Sequence, residues 1–120
     1  MSKKTLVLGA SLKSHRYSNI AINRLVNHQH EVLAIGLREG IVAGVSIIKG
    51  EPDLENIDTI TLYMNPKRQV ALYDYIIELR PKRIIFNPGT ENMELIALAQ
   101  AKGIETEIAC TLVMLSVGDY

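Results

Sequence analysis

The sequence predicts an open, mainly parallel α/β sheet of five or six strands with helices on both faces. Short apolar runs typical of buried strands alternate along the chain with segments whose apolar residues recur at helical spacing. The chain has 120 residues, 48% of them hydrophobic, which is enough to bury a core without disulfides or metal. We therefore expect a single domain over residues 1–120.

Charge and cysteine content restrict the class of partner. Thirteen basic residues balance thirteen acidic ones, so no overall field attracts nucleic acid or an anionic membrane, and any anion site must be local. A lone cysteine cannot form an internal disulfide, which fits a reducing compartment. No apolar run approaches the roughly 18 residues of a membrane span. We expect a cytoplasmic protein with neither a nucleic-acid nor a membrane partner.

The first half of the chain predicts three strands and one helix. Residues 5–8 form a buried strand, and a helix follows with Ser18 as its N-cap. Residues 31–35 and 45–48 are the next strands. The join at residues 36–44 is too short for a helical crossover, so we expect an irregular link there.

The second half continues the alternation of strands and helices. Strand residues 59–64 lead into Asn65 and Pro66, an N-cap and first-position proline that predict a helix start. Residues 83–86 and 106–109 form the last strands, and the helix between them ends at Gly103.

The connection between the first strand and first helix is the strongest candidate for a ligand site. It spans residues 9–18, whereas such loops usually have about 2–6 residues. Small residues let backbone N–H groups approach a pyrophosphate, the helix N-terminus favours anions, and basic and hydroxyl side chains add donors. The predicted ligand contacts in this loop are Gly9, Ala10, Ser11, Lys13, Arg16, Tyr17 and Ser18.

The residue types argue against NAD as the ligand. The loop lacks a G-x-G-x-x-G pattern, and no acidic residue ends the second strand to hold a free ribose hydroxyl. Arg38 lies just after that strand and suits a phosphorylated ribose instead. This leaves the 2′-phosphate of NADP or the 3′-phosphate of coenzyme A (CoA).

Four segments of the chain resemble a known family. They are residues 9–11 with Arg16 and Ser18, residues 62–66 with Gln69, residues 85–92, and residues 109–115. Together they resemble the small stand-alone CoA-binding domain family, which is similar to the CoA-binding domain of the succinyl-CoA synthetase α subunit. The chain departs from the family at residues 13–15, where a proline is common. It also departs at residues 36–40, which replace an Asn-Pro-basic turn and leave Arg38 to hold the 3′-phosphate alone.

The resemblance implies a Rossmann-like fold that binds CoA or acyl-CoA. It places the CoA diphosphate on residues 9–18, the adenine end towards the second strand, and the pantetheine across the crevice. We expect a binding protein without catalysis of its own, with neither catalytic residues nor a metal site. The further cofactor contacts that we predict are Arg38, Met64, Asn65, Pro66, Gln69, Asn87, Pro88 and Gly89.

Two alternatives stay open, and one residue needs comment. The protein is alternatively an NADP-binding oxidoreductase or sensor, or the CoA-binding subunit of an acyl-CoA ligase that needs a partner chain. A phosphohistidine would need a histidine in the later loops, and none follows His30. Cys110 follows the last strand on the side where a pantetheine thiol would reach, but we interpret it as a structural residue.

Overall fold

The computed structural model describes residues 2–120. The strands are β1 (Thr5–Ala10), β2 (Val32–Gly36), β3 (Gly40–Val42), β4 (Val45–Ile48), β5 (Thr59–Leu62), β6 (Arg83–Phe86) and β7 (Glu105–Ile108). The helices are α1 (Tyr17–Asn27), α2 (Pro66–Gln69), α3 (Tyr73–Glu78), α4 (Met93–Ala101) and α5 (Thr111–Val117), and a 3₁₀ turn over Val70–Leu72 joins α2 to α3. Within residues 2–120 no helix combines the length and apolarity needed to cross a bilayer.

The strands form one sheet in the order β3-β4-β2-β1-β5-β6-β7. Every neighbouring pair is parallel except β3 and β4, which are antiparallel. The predicted open, mainly parallel α/β fold class is confirmed. The chain moves from β1 to β2 on one side and later returns to place β5 on the other side of β1. The order of the strands therefore reverses between β1 and β5.

The sheet has seven strands rather than five or six, because residues 36–44 contain β3 rather than an irregular link. β3 pairs with β4 through a two-residue turn in which Ala43 and Gly44 both have positive φ, 51° and 80°. Both values are typical of the tight turns that join antiparallel strands. A strand of three residues is too short to show alternation, which is why the sequence pattern did not reveal it.

One helix boundary also differs from the prediction. α1 begins at Tyr17, and its N-cap is Arg16, which makes no side-chain capping hydrogen bond. Ser18 lies inside the first turn, where its side chain is buried. The hydroxyl is therefore not used as a cap.

Two apolar layers cover the sheet, one on each face. On one face Leu8, Leu62 and Phe86 pack with residues of α3 and α4, including Ile76 and Leu95. On the other face, Val7 and Ala34 pack against Ile22 and Leu25 of α1 and Leu115 of α5. Alternate residues of each strand point to opposite faces, so both layers come from the same short apolar runs.

The register of the strands brings the ends of the central strands together. Leu8 of β1 is level with Ile35 of β2 and Leu62 of β5, and Leu62 is level with Phe86 of β6. The segments that follow these strands therefore leave the same edge of the sheet. In open parallel sheets, the ligand site lies at this edge, where the strand order reverses.

Candidate functional site

A cleft of about 710 Å³ lies at this edge, between the segments that follow β1, β2, β5 and β6. Most of the residues proposed from the sequence line it, so the structure brings them together from four separate loops. The predicted residues on its surface are Gly9, Ala10, Ser11, Lys13, Arg16, Tyr17, Ser18, Arg38, Met64, Asn65, Pro88 and Gly89.

Close backbone packing explains the glycine at the base of the cleft. Gly9 has φ of +98°, and a Cβ at this position would lie 2.7 Å from the carbonyl oxygen of Tyr63. Any larger residue would therefore be strained and would push β1 away from the segment after β5. A Cβ on Gly36 would likewise collide with the carbonyl oxygen of Ala10. The two glycines keep the central loops close together beneath the cleft.

The β1–α1 loop forms an exposed wall of the cleft. The side chains of Lys13 and Arg16 are exposed, and the loop leads directly into the N-terminus of α1. A few bonds shape it: the Lys13 N–H donates to Ser11 Oγ at 3.1 Å, and the Arg16 N–H donates to the Lys13 carbonyl at 3.0 Å. Asn19 Nδ2 donates to the Ser11 carbonyl at 2.9 Å and ties the loop to the helix. The basic side chains remain available to a ligand.

The cleft carries a local positive charge although the chain is neutral overall. Four basic side chains line it, Lys13, Arg16, Arg38 and Arg68, and no aspartate or glutamate does. None of the four forms an ion pair with a carboxylate in the described part of the chain. The side-chain charge of the cleft is therefore not neutralised by the protein, which favours an anionic ligand.

The opposite wall comes from the segments after β5 and β6, and its polar side chains bond to one another. Asn65 Oδ1 accepts from the Arg68 N–H at 3.0 Å and caps α2. Gln69 is fully buried, and its Nε2 donates to the carbonyls of Met64 and Thr90, both at 2.9 Å. Asn92 Nδ2 donates to Gln69 Oε1 at 2.9 Å.

Asn87 is a second buried amide behind this wall. Its Nδ2 donates to Thr61 Oγ1 at 2.7 Å and to the Leu62 carbonyl at 2.8 Å. Its Oδ1 accepts from the Thr111 N–H at 2.8 Å, where α5 begins. A single side chain thus joins β5, β6 and α5, and each bond satisfies a group that burial would otherwise leave unpaired.

The structure places three of the predicted contacts away from the cleft surface. Gln69 and Asn87 are buried and use their amides inside the protein, and Pro66 is absent from the cleft lining. An amide in a ligand-binding motif has the same sequence signature whether it contacts the ligand or supports the loop. That ambiguity explains their inclusion among the contacts.

The cleft is also lined by five residues that were not among the predicted contacts: Leu12, Leu37, Tyr63, Arg68 and Thr90. Sequence position offered a signal for three of these residues. Leu12 and Leu37 are apolar residues next to the predicted cations Lys13 and Arg38. In the structure both are exposed. Arg68 lies two residues after the predicted helix start.

Tyr63 lines the cleft but has a buried hydroxyl. This hydroxyl has no hydrogen-bond partner among residues 2–120. Burial raises the pKa of this hydroxyl above its usual value, so it stays protonated at neutral pH. Cys110, the N-cap residue of α5, is half-buried and is not part of the cleft lining.

Solved structures share this fold. A crystal structure of an uncharacterized protein is 50% identical in sequence with a TM-score of 0.97, covering 100% of this chain and 99% of that chain. A hypothetical protein from Pyrococcus horikoshii OT3 is 24% identical with a TM-score of 0.85, covering 97% of this chain and 83% of its own. A protein from Thermus thermophilus is 18% identical with a TM-score of 0.86, covering 99% and 91%. The last two similarities show the fold alone. No curated protein matches the sequence significantly.

The parallel sheet, its covering helices and the cleft where the strand order reverses define a Rossmann-like α/β domain. The sequence model of the CoA binding domain family matches residues 3–116, nearly the whole chain. The chain therefore belongs to the CoA-binding domain family, which confirms the resemblance found in the sequence.

Proposed function

We propose that the cleft binds CoA or acyl-CoA, with the diphosphate on residues 9–18. The observation that carries the proposal is the cationic cleft of a CoA-binding domain family member, lined by Lys13, Arg16, Arg38 and Arg68 without any carboxylate. CoA carries a diphosphate and a 3′-phosphate, so its charge is complementary to this lining. Charge-assisted hydrogen bonds from guanidinium groups to phosphate are among the stronger polar contacts in proteins.

The layout of the cleft supports one direction for the ligand. The diphosphate lies at the N-terminus of α1, where backbone N–H groups and Arg16 converge. The adenosine lies towards the end of β2, where Arg38 reaches the 3′-phosphate and the exposed side chains of Leu12 and Leu37 offer apolar surface to the base. The pantetheine then runs along the wall that includes Met64 and Thr90.

We further propose that the domain binds this ligand without catalysing a reaction on it. The cleft lining contains no histidine, cysteine, aspartate or glutamate, the residue types that most often transfer protons or attack a thioester. The titratable side chains of its lining residues are the four basic ones and two tyrosines, Tyr17 and Tyr63, and the Tyr63 hydroxyl is buried. Their chemistry suits holding an anionic ligand.

Calorimetry with four ligands tests this proposal. CoA should bind more tightly than NADP, and both more tightly than NAD, because NAD lacks a ribose phosphate. Dephospho-CoA should bind more weakly than CoA for the same reason. Arg24→Ala is the matched control for variants of the cleft arginines Arg16 and Arg38, since Arg24 is an exposed arginine of α1 that lies away from the cleft. If NADP binds most tightly, the site belongs to a nicotinamide nucleotide, and if NAD does, the assignment of Arg38 is wrong as well.

A further inference from the structure

The side chains of Gln69 and Asn92 form a continuous, buried hydrogen-bond network behind the wall of the cleft that includes Met64 and Thr90. Gln69 Nε2 donates both to the Met64 carbonyl after β5 and to the Thr90 carbonyl after β6, each at 2.9 Å. Asn92 Nδ2 donates to Gln69 Oε1 at 2.9 Å and to the Tyr73 hydroxyl at 2.8 Å. Asn92 Oδ1 also accepts from the N–H groups of Glu94 and Leu95 in the first turn of α4.

The two carbonyls held by Gln69 belong to residues that themselves line the cleft, Met64 and Thr90. Neither Gln69 nor Asn92 lines it. The backbones that they join come from different loops, and no ladder of strand bonds continues beyond Leu62 and Phe86 to fix the spacing. Among the described residues, Gln69 is the side chain whose hydrogen bonds join these two loop carbonyls directly.

We infer that Gln69 is a positioning residue, which sets the width of the cleft where the pantetheine arm lies. This inference rests on the proposed binding of CoA. Both Nε2 hydrogens and the Oε1 atom are engaged, so the side chain has one orientation. Removing the amide leaves two buried carbonyls without a donor, and they move towards water. The adenosine half of the cleft, built from the β1–α1 loop and the end of β2, has no bond to Gln69.

Gln69→Leu tests the inference because it keeps the volume of the side chain and removes its hydrogen bonds. We expect CoA affinity to fall about tenfold, equivalent to about 1.4 kcal/mol. Adenosine 3′,5′-bisphosphate, which carries the 3′-phosphate and one phosphate of the diphosphate but not the pantetheine, should bind the variant and the wild type equally. If the substitution merely disturbs the structure as a whole, the variant should bind both ligands more weakly, and that result would overturn the inference.

Ile76→Ala is the matched control. Ile76 is buried in α3 on the same face of the sheet and belongs to the apolar core, so its truncation lowers stability and removes none of the hydrogen bonds of Gln69. This variant should bind both ligands as the wild type does. If it shows the same selective loss of CoA affinity, the effect of Gln69→Leu comes from general loosening, and the inference is wrong.

Gln69→Glu is a second variant that retains the shape of the side chain. An ionised glutamate accepts but cannot donate, so it repels the carbonyls of Met64 and Thr90, whereas its protonated form regains one donor. Its CoA affinity relative to wild type should therefore rise as the pH falls. If the ratio of the two affinities does not change with pH, the inference is wrong. If the wild type binds neither CoA nor adenosine 3′,5′-bisphosphate, the proposed function is wrong instead.

Discussion

The two walls of the cleft are built on opposite principles. The β1–α1 loop presents exposed cations and is held by a few bonds around Ser11 and Asn19. The wall after β5 and β6 places its amides, Gln69 and Asn87, inside the protein, where all their contacts are to other parts of the chain. The first wall presents Lys13 and Arg16 to a ligand, whereas the buried amides of the second maintain the shape of the cleft. Substitutions in the first should change binding alone, and substitutions in the second should change stability or geometry.

The largest expected effect is on stability, in the buried wall. Asn87→Ala leaves the Leu62 carbonyl and the Thr111 N–H without a partner, and each buried unpaired group costs about 1–3 kcal/mol. We expect the free energy of unfolding in urea to fall by about 2–4 kcal/mol. Glu91→Gln, an exposed change in the same loop, is the control. If the free energy of unfolding falls by less than about 1 kcal/mol, the buried wall tolerates unpaired polar groups, and the proposed difference between the two walls is wrong.

The next effect concerns binding, in the exposed loop. Arg16→Ala should weaken CoA and dephospho-CoA by a similar factor, because both carry the diphosphate. The loss of a charged hydrogen bond is worth about 1.5–3 kcal/mol, or roughly one to two orders of magnitude in affinity. Stability should stay within about 0.5 kcal/mol of wild type, since Arg16 is exposed. Calorimetry and urea unfolding of one preparation measure both quantities, and a stability loss like that of Asn87→Ala would erase the distinction between the walls.

Arg38→Ala should have a selective effect. Arg38 follows β2 and lines the cleft at the end where we propose that the adenosine binds. Only CoA, and not dephospho-CoA, carries a 3′-phosphate. The variant should lose most of the preference for CoA while binding dephospho-CoA normally. If the preference persists, another cation holds the 3′-phosphate. Arg68 is then the first candidate, because it lines the cleft whereas Lys67 does not.

The opposite edge of the sheet should add a pH dependence that neither wall supplies. His30 Nδ1 accepts from the Lys3 N–H at 2.9 Å, and its ring lies edge-on to Tyr120 at 4.8 Å between centroids. Burial, and then the nearby positive charges of His28, Lys3 and Arg83, lower the pKa of His30 below its usual 6.5.

The unfolded chain then takes up this proton at a higher pH than the folded one. The contribution of neutral His30 to stability should be complete above pH 6.5 and decline as the pH falls below it. His30→Gln should flatten this part of a stability-against-pH curve, while His15→Gln, an exposed change in the β1–α1 loop, should leave it intact. Equal curves for wild type and His30→Gln would assign the acid sensitivity to another group.

The smallest effect is expected at Cys110. This residue is half-buried at the start of α5 and lies outside the cleft lining. Cys110→Ser should therefore leave CoA affinity within about twofold of wild type, less than about 0.5 kcal/mol. A larger loss, or a mixed disulfide with CoA under mild oxidant, would show that the pantetheine extends past the buried wall to this helix.

The sequence revealed the exposed wall better than the buried one. The length, glycine start and basic residues of 9–18 are chemistry that a ligand loop displays directly, and these residues do surround the cleft. The roles of Gln69 and Asn87 depend on partners 21 and 26 residues away, which no local pattern encodes. The strand alternation gave the fold class, whereas β3 and the uncapped start of α1 depend on a hairpin and a loop that only tertiary contacts define.

The bonds around Asn87 also bear on the order of folding. The hydroxyls of Thr61 and Thr111 lie 2.8 Å apart across 50 positions of sequence, next to the bond between Asn87 and the start of α5. Contacts between distant positions cost loop-closure entropy before they contribute stability, so they tend to form after local ones. The loop of residues 9–18 joins β1 and α1, which are adjacent in sequence. The buried wall is complete only when the last helix has formed, so a chain still on the ribosome would carry Lys13, Arg16 and Arg38 before it had the wall that faces them.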